Sequence, residues 1–277
     1  MINYPLAFVL YNPSQHSIDR IIDFANKGCI IYIYDNSSST NEELSKTKNI
    51  SYFSNNINHG LSYSLKFLCE IVSKNSFKKL LFFDQDTIFT QETLNYIEEF
   101  ANFMSHENKI LFNSVTSVNF RDSTVTNDKY NLIETIHNDN YTLQYVYFNI
   151  NSGTMYFLED FNTFNWFDNQ YFVDGVDYAF SLNTLINKFK NVSITNVPGL
   201  NHFDEQGDST LIFCNKKFTS RVYPLNRNLD YIYSHLRLFI KTFKINSIKP
   251  KIFILKAIIG YTITQCIFRL HSIINNK

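Results

Sequence analysis

The segment Leu80-Leu81-Phe82-Phe83-Asp84-Gln85-Asp86-Thr87 constrains the chain most. An apolar run, preceded by two lysines, stops abruptly at two carboxylates two residues apart. A short apolar run of this kind reads as a buried strand. In open α/β sheets, ligands bind just beyond the carboxyl ends of the strands. Two acids at such a place are costly unless something pairs with them. A hard divalent cation, Mg²⁺ or Mn²⁺, carrying a diphosphate would do so, because it prefers oxygen ligands and keeps positions open for phosphate. Asp-X-Asp also occurs in plain surface turns, so the rest of the chain must decide.

The preceding residues repeat the arrangement. Leu6 to Tyr11 is an apolar run ended by Asn12-Pro13, a turn signal. Ser14 or Ser17 is placed to cap a helix to Lys27, with Ile18, Ile21, Ile22 and Ala25 on one face. Gly28 closes that helix. Cys29 to Tyr34 reads as a second strand ending in Asp35-Asn36-Ser37-Ser38, and Ser51-Tyr52-Phe53 as a short third. Gly60 leads a helix through Ser73, with Leu61, Leu65, Leu68 and Val72 at helical spacing. Alternating strands and helices predict an α/β fold with a mostly parallel, Rossmann-like sheet covered by helices on both faces. Farther on, Ile110 to Phe120, Thr142 to Ile150 and Val192 to Val197 read as strands. Tyr171 to Asp177 is an acid-bearing segment before a helix from about Tyr178 to Phe189.

Composition describes a globular protein, with 44% hydrophobic and 18% charged residues in 277. Cys29, Cys69, Cys214 and Cys266 form no Cys-X-X-Cys pair, which suggests a reducing compartment. The N-terminus has no basic region leading into a long apolar stretch, so no secretion signal is expected. Net charge is zero but unevenly spread. After Asp230 come Arg237, Lys241, Lys244, Lys249, Lys251, Lys256, Arg269 and Lys277, and no acid. A basic, apolar tail on an acidic body points away from nucleic acid and toward an anionic membrane surface. Lys256, Thr262, Thr264 and Gln265 interrupt its apolar clusters, which is poor for a transmembrane helix. The tail is expected to be an in-plane helix; a helix packed on the body, or a contact in a homodimer, is the competing expectation. The expected division is a body at 1–230 and a helical tail at 231–277.

The ordered set of motifs resembles family 2 glycosyltransferases of the inverting GT-A type, and within them the rhamnosyltransferase-like branch of bacterial surface polysaccharide synthesis. The pieces are Tyr11-Asn12-Pro13, Asp35-Asn36-Ser37-Ser38, Asn58-His59-Gly60-Leu61, Phe83-Asp84-Gln85-Asp86-Thr87, Asn151-Ser152-Gly153-Thr154, Phe172-Val173-Asp174-Gly175-Val176-Asp177, and Arg221-Val222-Tyr223 with Arg227-Asn228. They span about residues 6 to 228.

The resemblance implies transfer of a sugar from a dTDP-rhamnose or UDP-hexose donor to a lipid-linked glycan, in O-antigen or capsule synthesis, at the cytoplasmic face of the bacterial membrane. Asp35 would meet the pyrimidine edge, with Tyr11 and Pro13 flanking the base. Asn58 and Gly60 would let backbone approach the nucleotide. Asp84 would face the ribose or a metal-bound water, and Asp86 would bind the divalent metal. His202, after the Pro198-Gly199 turn, is a further candidate ligand. An inverting transfer needs a base for the acceptor hydroxyl; Asp177 is first choice and Asp174 second. Helix capping is the competing role for Asp177. Arg221 and Arg227 suit a diphosphate, since guanidinium matches phosphate geometry. Two positions depart from the pattern: Ala179 stands where the branch has Glu, and Asn183 where it has Arg. They support an alternative, a non-catalytic, degenerate GT-A protein that binds nucleotide-sugar or glycan.

Overall fold

The computed structural model describes residues 2–106, 115–121, 128–137, 141–159, 163–202, 209–213, 216–220 and 223–275. The chain divides into two compact units, Met1–Phe203 and Asp204–Lys277.

The first unit runs β1 (Leu6–Leu10), α1 (Gln15–Asn26), β2 (Ile31–Asp35), α2 (Glu42–Lys46), β3 (Ile50–Ser54), α3 (Gly60–Lys74), β4 (Lys79–Asp84), β5 (Thr87–Ile88), α4 (Gln91–His106) and β6 (Val115–Phe120). It continues with β7 (Leu132–His137), β8 (Thr142–Val146), β9 (Thr154–Phe157), a 3-10 turn at Thr163–Trp166, α5 (Val176–Ile186), β10 (Lys190–Ile194) and β11 (Asn201–His202). Nine of these strands form one sheet in the order β3-β2-β1-β4-β9-β6-β10-β8-β7. Only β9 and β8 run against the others. β1 lies between β2 and β4, both parallel to it. The chain thus turns outward from β1 to β2 and β3, then returns to β4 on the other side. That reversal is where a doubly wound sheet opens a crevice.

The continuous apolar runs of β1, β2 and β4 follow from cover on both faces. Leu6, Phe8, Leu10, Ile31, Ile33, Leu81 and Phe83 join one core cluster with Ile18, Ile21 and Phe24 of α1 and Leu94, Ile97 and Phe100 of α4. The Phe89 ring stacks on Phe83 at 4.1 Å and on Phe24 at 4.4 Å. The opposite face takes α3, with Phe67 edge-on to Tyr34 at 5.2 Å. Ser14 caps α1 by accepting from the Ser17 amide, as its sequence position suggested.

The second unit contains an antiparallel hairpin, β12 (Ser209–Phe213) with β13 (Lys216–Ser220), then α6 (Leu225–Lys241), a 3-10 turn at Thr242–Lys244 and α7 (Lys249–Asn275). The unit boundary lies at 203/204, whereas the sequence division lay at 230. Helix α7 runs unbroken through Lys256, Thr262, Thr264 and Gln265. Its residues Lys249–His271 are long and apolar enough to cross a membrane by length and composition. The interruptions that counted against a span in the sequence are spaced along one continuous helix and do not end it.

Candidate functional site

Three loops meet at the switch between β1 and β4, and Gln85 ties its own loop to the one after β1 and to α1. The Tyr11 amide donates to Gln85 Oε1 at 2.9 Å, while the Ser17 hydroxyl donates to the Gln85 carbonyl at 2.9 Å. The Arg20 guanidinium donates to the same carbonyl. The Asn12 amide, in a left-handed turn at φ 47°, donates to Ser37 Oγ at 2.7 Å. The residue between the two carboxylates is therefore a clamp that sets their loop against β1.

The other side of that loop rests on the segment 151–154. Ser152 Oγ accepts from the Asp84 amide at 3.0 Å and shares a short hydrogen bond with the Thr87 hydroxyl. Gly153 donates from its amide to the Phe82 carbonyl and accepts from the Phe120 amide, both at 2.8 Å. Its φ is +74°, and an added Cβ would sit 2.5 Å from the Phe120 carbonyl oxygen. Only glycine fits between β4 and β6 there. Asn119, fully buried in β6, donates to the Ile150 and Ser152 carbonyls and to Thr154 Oγ1. Its own Oδ1 accepts from Arg121 Nε at 2.8 Å. Arg121 is buried and also donates to the Phe148 carbonyl and Asn149 Oδ1.

Helix α5 begins after Gly175, which has φ 80° and offers no side-chain cap. Asp177 lies in its first turn, and its Oδ1 accepts from the Tyr178 amide at 3.0 Å. A carboxylate here is also favoured by the helix N-terminus. The segment before α5 is fixed to α3. The Leu61 amide donates to the Phe172 carbonyl at 2.6 Å. A Cβ on Gly60 would lie 2.5 Å from that same oxygen, at φ +80°. The close approach that Gly60 permits is thus to Phe172, and it holds Asp174 and Asp177 near the strand ends.

Electrostatics join these acids. Burial, then the charges of Asp86 and Asp177, push the Asp84 carboxyl up to about 7. Burial pushes Asp177 up to about 6; the Tyr178 amide and its own amide act against this, Asp174 adds to it, and Arg121 opposes it. A carboxylate set held at high energy by its neighbours suits a divalent cation. Among the described residues no three or more His, Cys, Asp or Glu could hold one. Two carboxylates with the remaining places left to substrate phosphate is a donor set that Mg²⁺ accepts. The backbone of His202 pairs with Thr87, next to Asp86, while its side chain lies outside the described residues.

The other expected residues fall as follows. Tyr11 is 55% exposed, beside the half-buried Pro13. Asp35 is 1% exposed. Its Oδ1 accepts from the Ser37 amide at 2.8 Å and its Oδ2 from the Tyr52 hydroxyl at 2.7 Å. That carboxylate shapes the loop after β2 and has little surface to offer. Asn58 Oδ1 accepts from the Gly60 amide at 2.9 Å, bracing the start of α3. Ala179 is buried in α5, and Asn183 Nδ2 donates to the Trp166 carbonyl. Arg221 lies outside the described residues. Arg227 belongs to the second unit, stacked 4.8 Å over the Tyr223 ring.

Sequence reasoning missed Gln85 as a clamp and the Asn119–Arg121 pair. A signal existed for Asn119: a polar side chain inside the otherwise strand-like Val115–Phe120 must be hydrogen-bonded if buried.

No protein-family model matches the chain, and no curated protein matches its sequence. Solved structures do match its fold. The structure of S. aureus TarS superposes with a TM-score of 0.53 at 11% identity, over 94% of this chain and 43% of TarS. The structure of TarS 1–349 gives 0.51 at 11% identity, over 93% of this chain and 71% of that one. The chain thus spans less than half of the first. At that identity the likeness speaks for the fold alone, and the fold is α/β and GT-A-like: a mostly parallel sheet with helices on both faces, followed by a C-terminal helix.

Proposed function

We propose that this protein is a metal-dependent, inverting glycosyltransferase that uses a nucleotide-sugar donor. The observation that carries the reading is the gathering of Asp84, Asp86 and Asp177 at the sheet's switch point, close enough that the charges of Asp86 and Asp177 add to burial in raising Asp84. An acid cluster on a rigid strand end, a general base of raised affinity for protons and an exposed aromatic at the loop after β1 are the parts such a transfer needs. The fold shared with TarS, a family 2 glycosyltransferase, supports the same class.

In this reading Asp86, with Asp84 behind it, holds Mn²⁺ or Mg²⁺. The bound ion would stabilise negative charge on the departing nucleoside diphosphate. Tyr11 and Pro13 offer a surface to the pyrimidine, above the loop that Asp35 shapes. Gln85 keeps that surface in register with the carboxylates. Asp177 takes the proton of the acceptor hydroxyl as its oxygen bonds to the anomeric carbon. The bond from that carbon to the diphosphate oxygen breaks on the opposite face, and the diphosphate leaves with the electron pair. A carboxyl raised to about 6 suits a base working near neutral pH. Asp174 is the second candidate, and His202 a further metal ligand. The proposed donor is dTDP-rhamnose or a UDP-hexose, and the acceptor a lipid-linked glycan of a bacterial surface polysaccharide on the cytoplasmic side.

Ala179 favours a second reading, a binding protein without turnover, because no carboxyl stands at that place. One experiment separates them. The chain is incubated with UDP- and dTDP-sugars, with Mn²⁺, with Mg²⁺ or with chelator, and nucleoside diphosphate release is measured. Release that needs the metal and disappears in Asp86→Ala supports the enzyme. Saturable nucleotide-sugar binding with no release from any donor supports the binding protein.

A further inference from the structure

The second unit leaves much of its apolar side-chain surface turned outward. Along α6, Leu225, Leu229, Tyr233, Leu236 and Ile240 recur at three- and four-residue spacing, which places them on one face. All five are exposed, and Phe243 continues the stripe. Ile240 is 70% exposed and Phe243 64%, so they are not the rim of a core.

The face that α6 turns to α7 is mixed, with Leu238 fully buried beside polar groups. Asn228, Ser234 and His235 are buried there. Asn228 Oδ1 accepts from the Tyr261 hydroxyl at 2.6 Å. The Tyr231 ring stacks on Tyr261 at 3.7 Å and on His235 at 3.8 Å. Gln265 Oε1 accepts from the Tyr223 amide at 3.3 Å, and Arg269 donates to the Tyr223 carbonyl at 2.7 Å. Helix α7 shows the same mixture: Ile254, Gln265 and Phe268 are buried, while Leu255, Ile259, Ile263 and Leu270 are exposed.

Single exposed apolar residues are ordinary, but an unbroken stripe along one helix marks a surface that meets something apolar. Charge selects the occupant. After Asp230 the chain carries eight Lys or Arg and no acid. A second copy would bring like charge against this surface, whereas anionic headgroups bring the opposite charge. We propose that the outward apolar stripe of α6, continued by Phe243, docks onto an anionic lipid bilayer, lying along its surface with basic side chains at the headgroups. Lys251 and Lys256 fall within α7, which favours lying along the bilayer over crossing it. The proposal does not depend on the reaction proposed above.

Flotation of the full chain with vesicles tests it, without any nucleotide sugar. The chain should float with phosphatidylglycerol-rich vesicles and far less with phosphatidylcholine, and high salt should weaken the association only in part. Leu236→Glu with Ile240→Glu alters exposed positions, so circular dichroism should stay unchanged while lipid partition falls by roughly tenfold or more. Lys244→Gln with Lys256→Gln should weaken binding to the anionic vesicles alone. Equal flotation with both lipids, flotation with neither, or unaltered flotation of the Glu variant overturns the proposal. A dimer in sedimentation that Ile240→Glu dissolves, without lipid binding, makes the occupant a second copy. Retention on vesicles after alkaline carbonate extraction replaces the in-plane arrangement with a crossing helix.

Discussion

In the first unit, Leu6, Phe8, Leu81 and Phe83 fill the interior, and the charged groups collect at one edge of the sheet. In the second, Asn228, His235 and Gln265 are inside and Leu225, Leu236 and Ile240 are outside. Neither arrangement pairs every buried polar group, since the Ser62 hydroxyl in the first unit and the Ser234 hydroxyl in the second have no hydrogen-bond partner among the described residues. The sheet edge leaves its acids in mutual repulsion, with Asp84 and Asp177 both raised. In the helix pair the Tyr261 hydroxyl donates to Asn228, and burial lowers the His235 imidazole to about 4, so it stays neutral inside. A site kept at high energy is primed to bind a counter-charge, whereas a mixed interior with an apolar stripe outside is suited to a change of solvent. Breaking one should therefore affect chemistry, and breaking the other only partition.

The largest effect expected is at Asp86. Asp86→Ala should abolish transfer and remove metal dependence from nucleotide binding, measured by calorimetry with and without Mn²⁺. Full activity in excess chelator would take the metal out of the account. Next comes the base. Asp177→Asn keeps the shape and loses the proton acceptor, so turnover should fall by roughly 10²–10⁴ with donor affinity retained. If Asp174→Asn behaves that way instead, the wrong carboxylate bears the role.

Gly60→Ala tests the support beneath those acids. Its Cβ would press on the Phe172 carbonyl at positive φ, and such strain costs about 1–3 kcal/mol. Denaturant titration should show that loss, and turnover should drop because Asp174 and Asp177 follow Phe172. A stable, fully active variant would mean that the 172–177 segment is not anchored through α3.

The elements that could be read from the sequence were the ones with local signals. Strands β1, β2 and β4 are unbroken apolar runs ending in Asn or Asp, and α3 follows its spacing from Gly60 to Lys74. The helix expected from Tyr178 begins earlier, at Val176, because Gly175 turns the chain before it. What could not be read is what long-range pairing decides. The reversed strand β9 enters between β4 and β6, and this is what brings Ser152 under the Asp84 amide. Arg121 follows β6 and meets Asn149 only once the sheet is assembled. The outward apolar stripe of α6 needed burial as well as spacing, since the pattern of apolar residues does not tell which face is outward.

Asp177 also makes a pH prediction for the metal-free protein. Its folded carboxyl is raised from the usual carboxylate range to about 6. A group raised on folding contributes stability that is present below its unfolded value and lost as pH rises through its folded value. Thermal stability should therefore fall between about pH 4 and pH 7. Asp177→Asn should flatten that fall, and at pH 8 should be the more stable protein by roughly 1–2 kcal/mol. Equal pH profiles would mean that Arg121 and the helix N-terminus already compensate the charge.

The smallest effect sharpens the comparison between the two units. In an ordinary helix, replacing an apolar stripe residue by serine costs stability, and trimming a polar residue costs little. The second unit should reverse both in solution. Ile240 is largely exposed, so Ile240→Ser should change unfolding free energy by no more than about 0.5 kcal/mol. Asn228→Ala leaves the half-buried Tyr261 hydroxyl without this acceptor, which costs about 1 kcal/mol. Adding Asn228→Ala with Tyr261→Phe should recover part of that loss, because the orphaned hydroxyl goes too. Should Ile240→Ser prove the costlier change in lipid-free buffer, the stripe is already covered by protein, and the contrast between the two units rests on a second copy and not on a membrane.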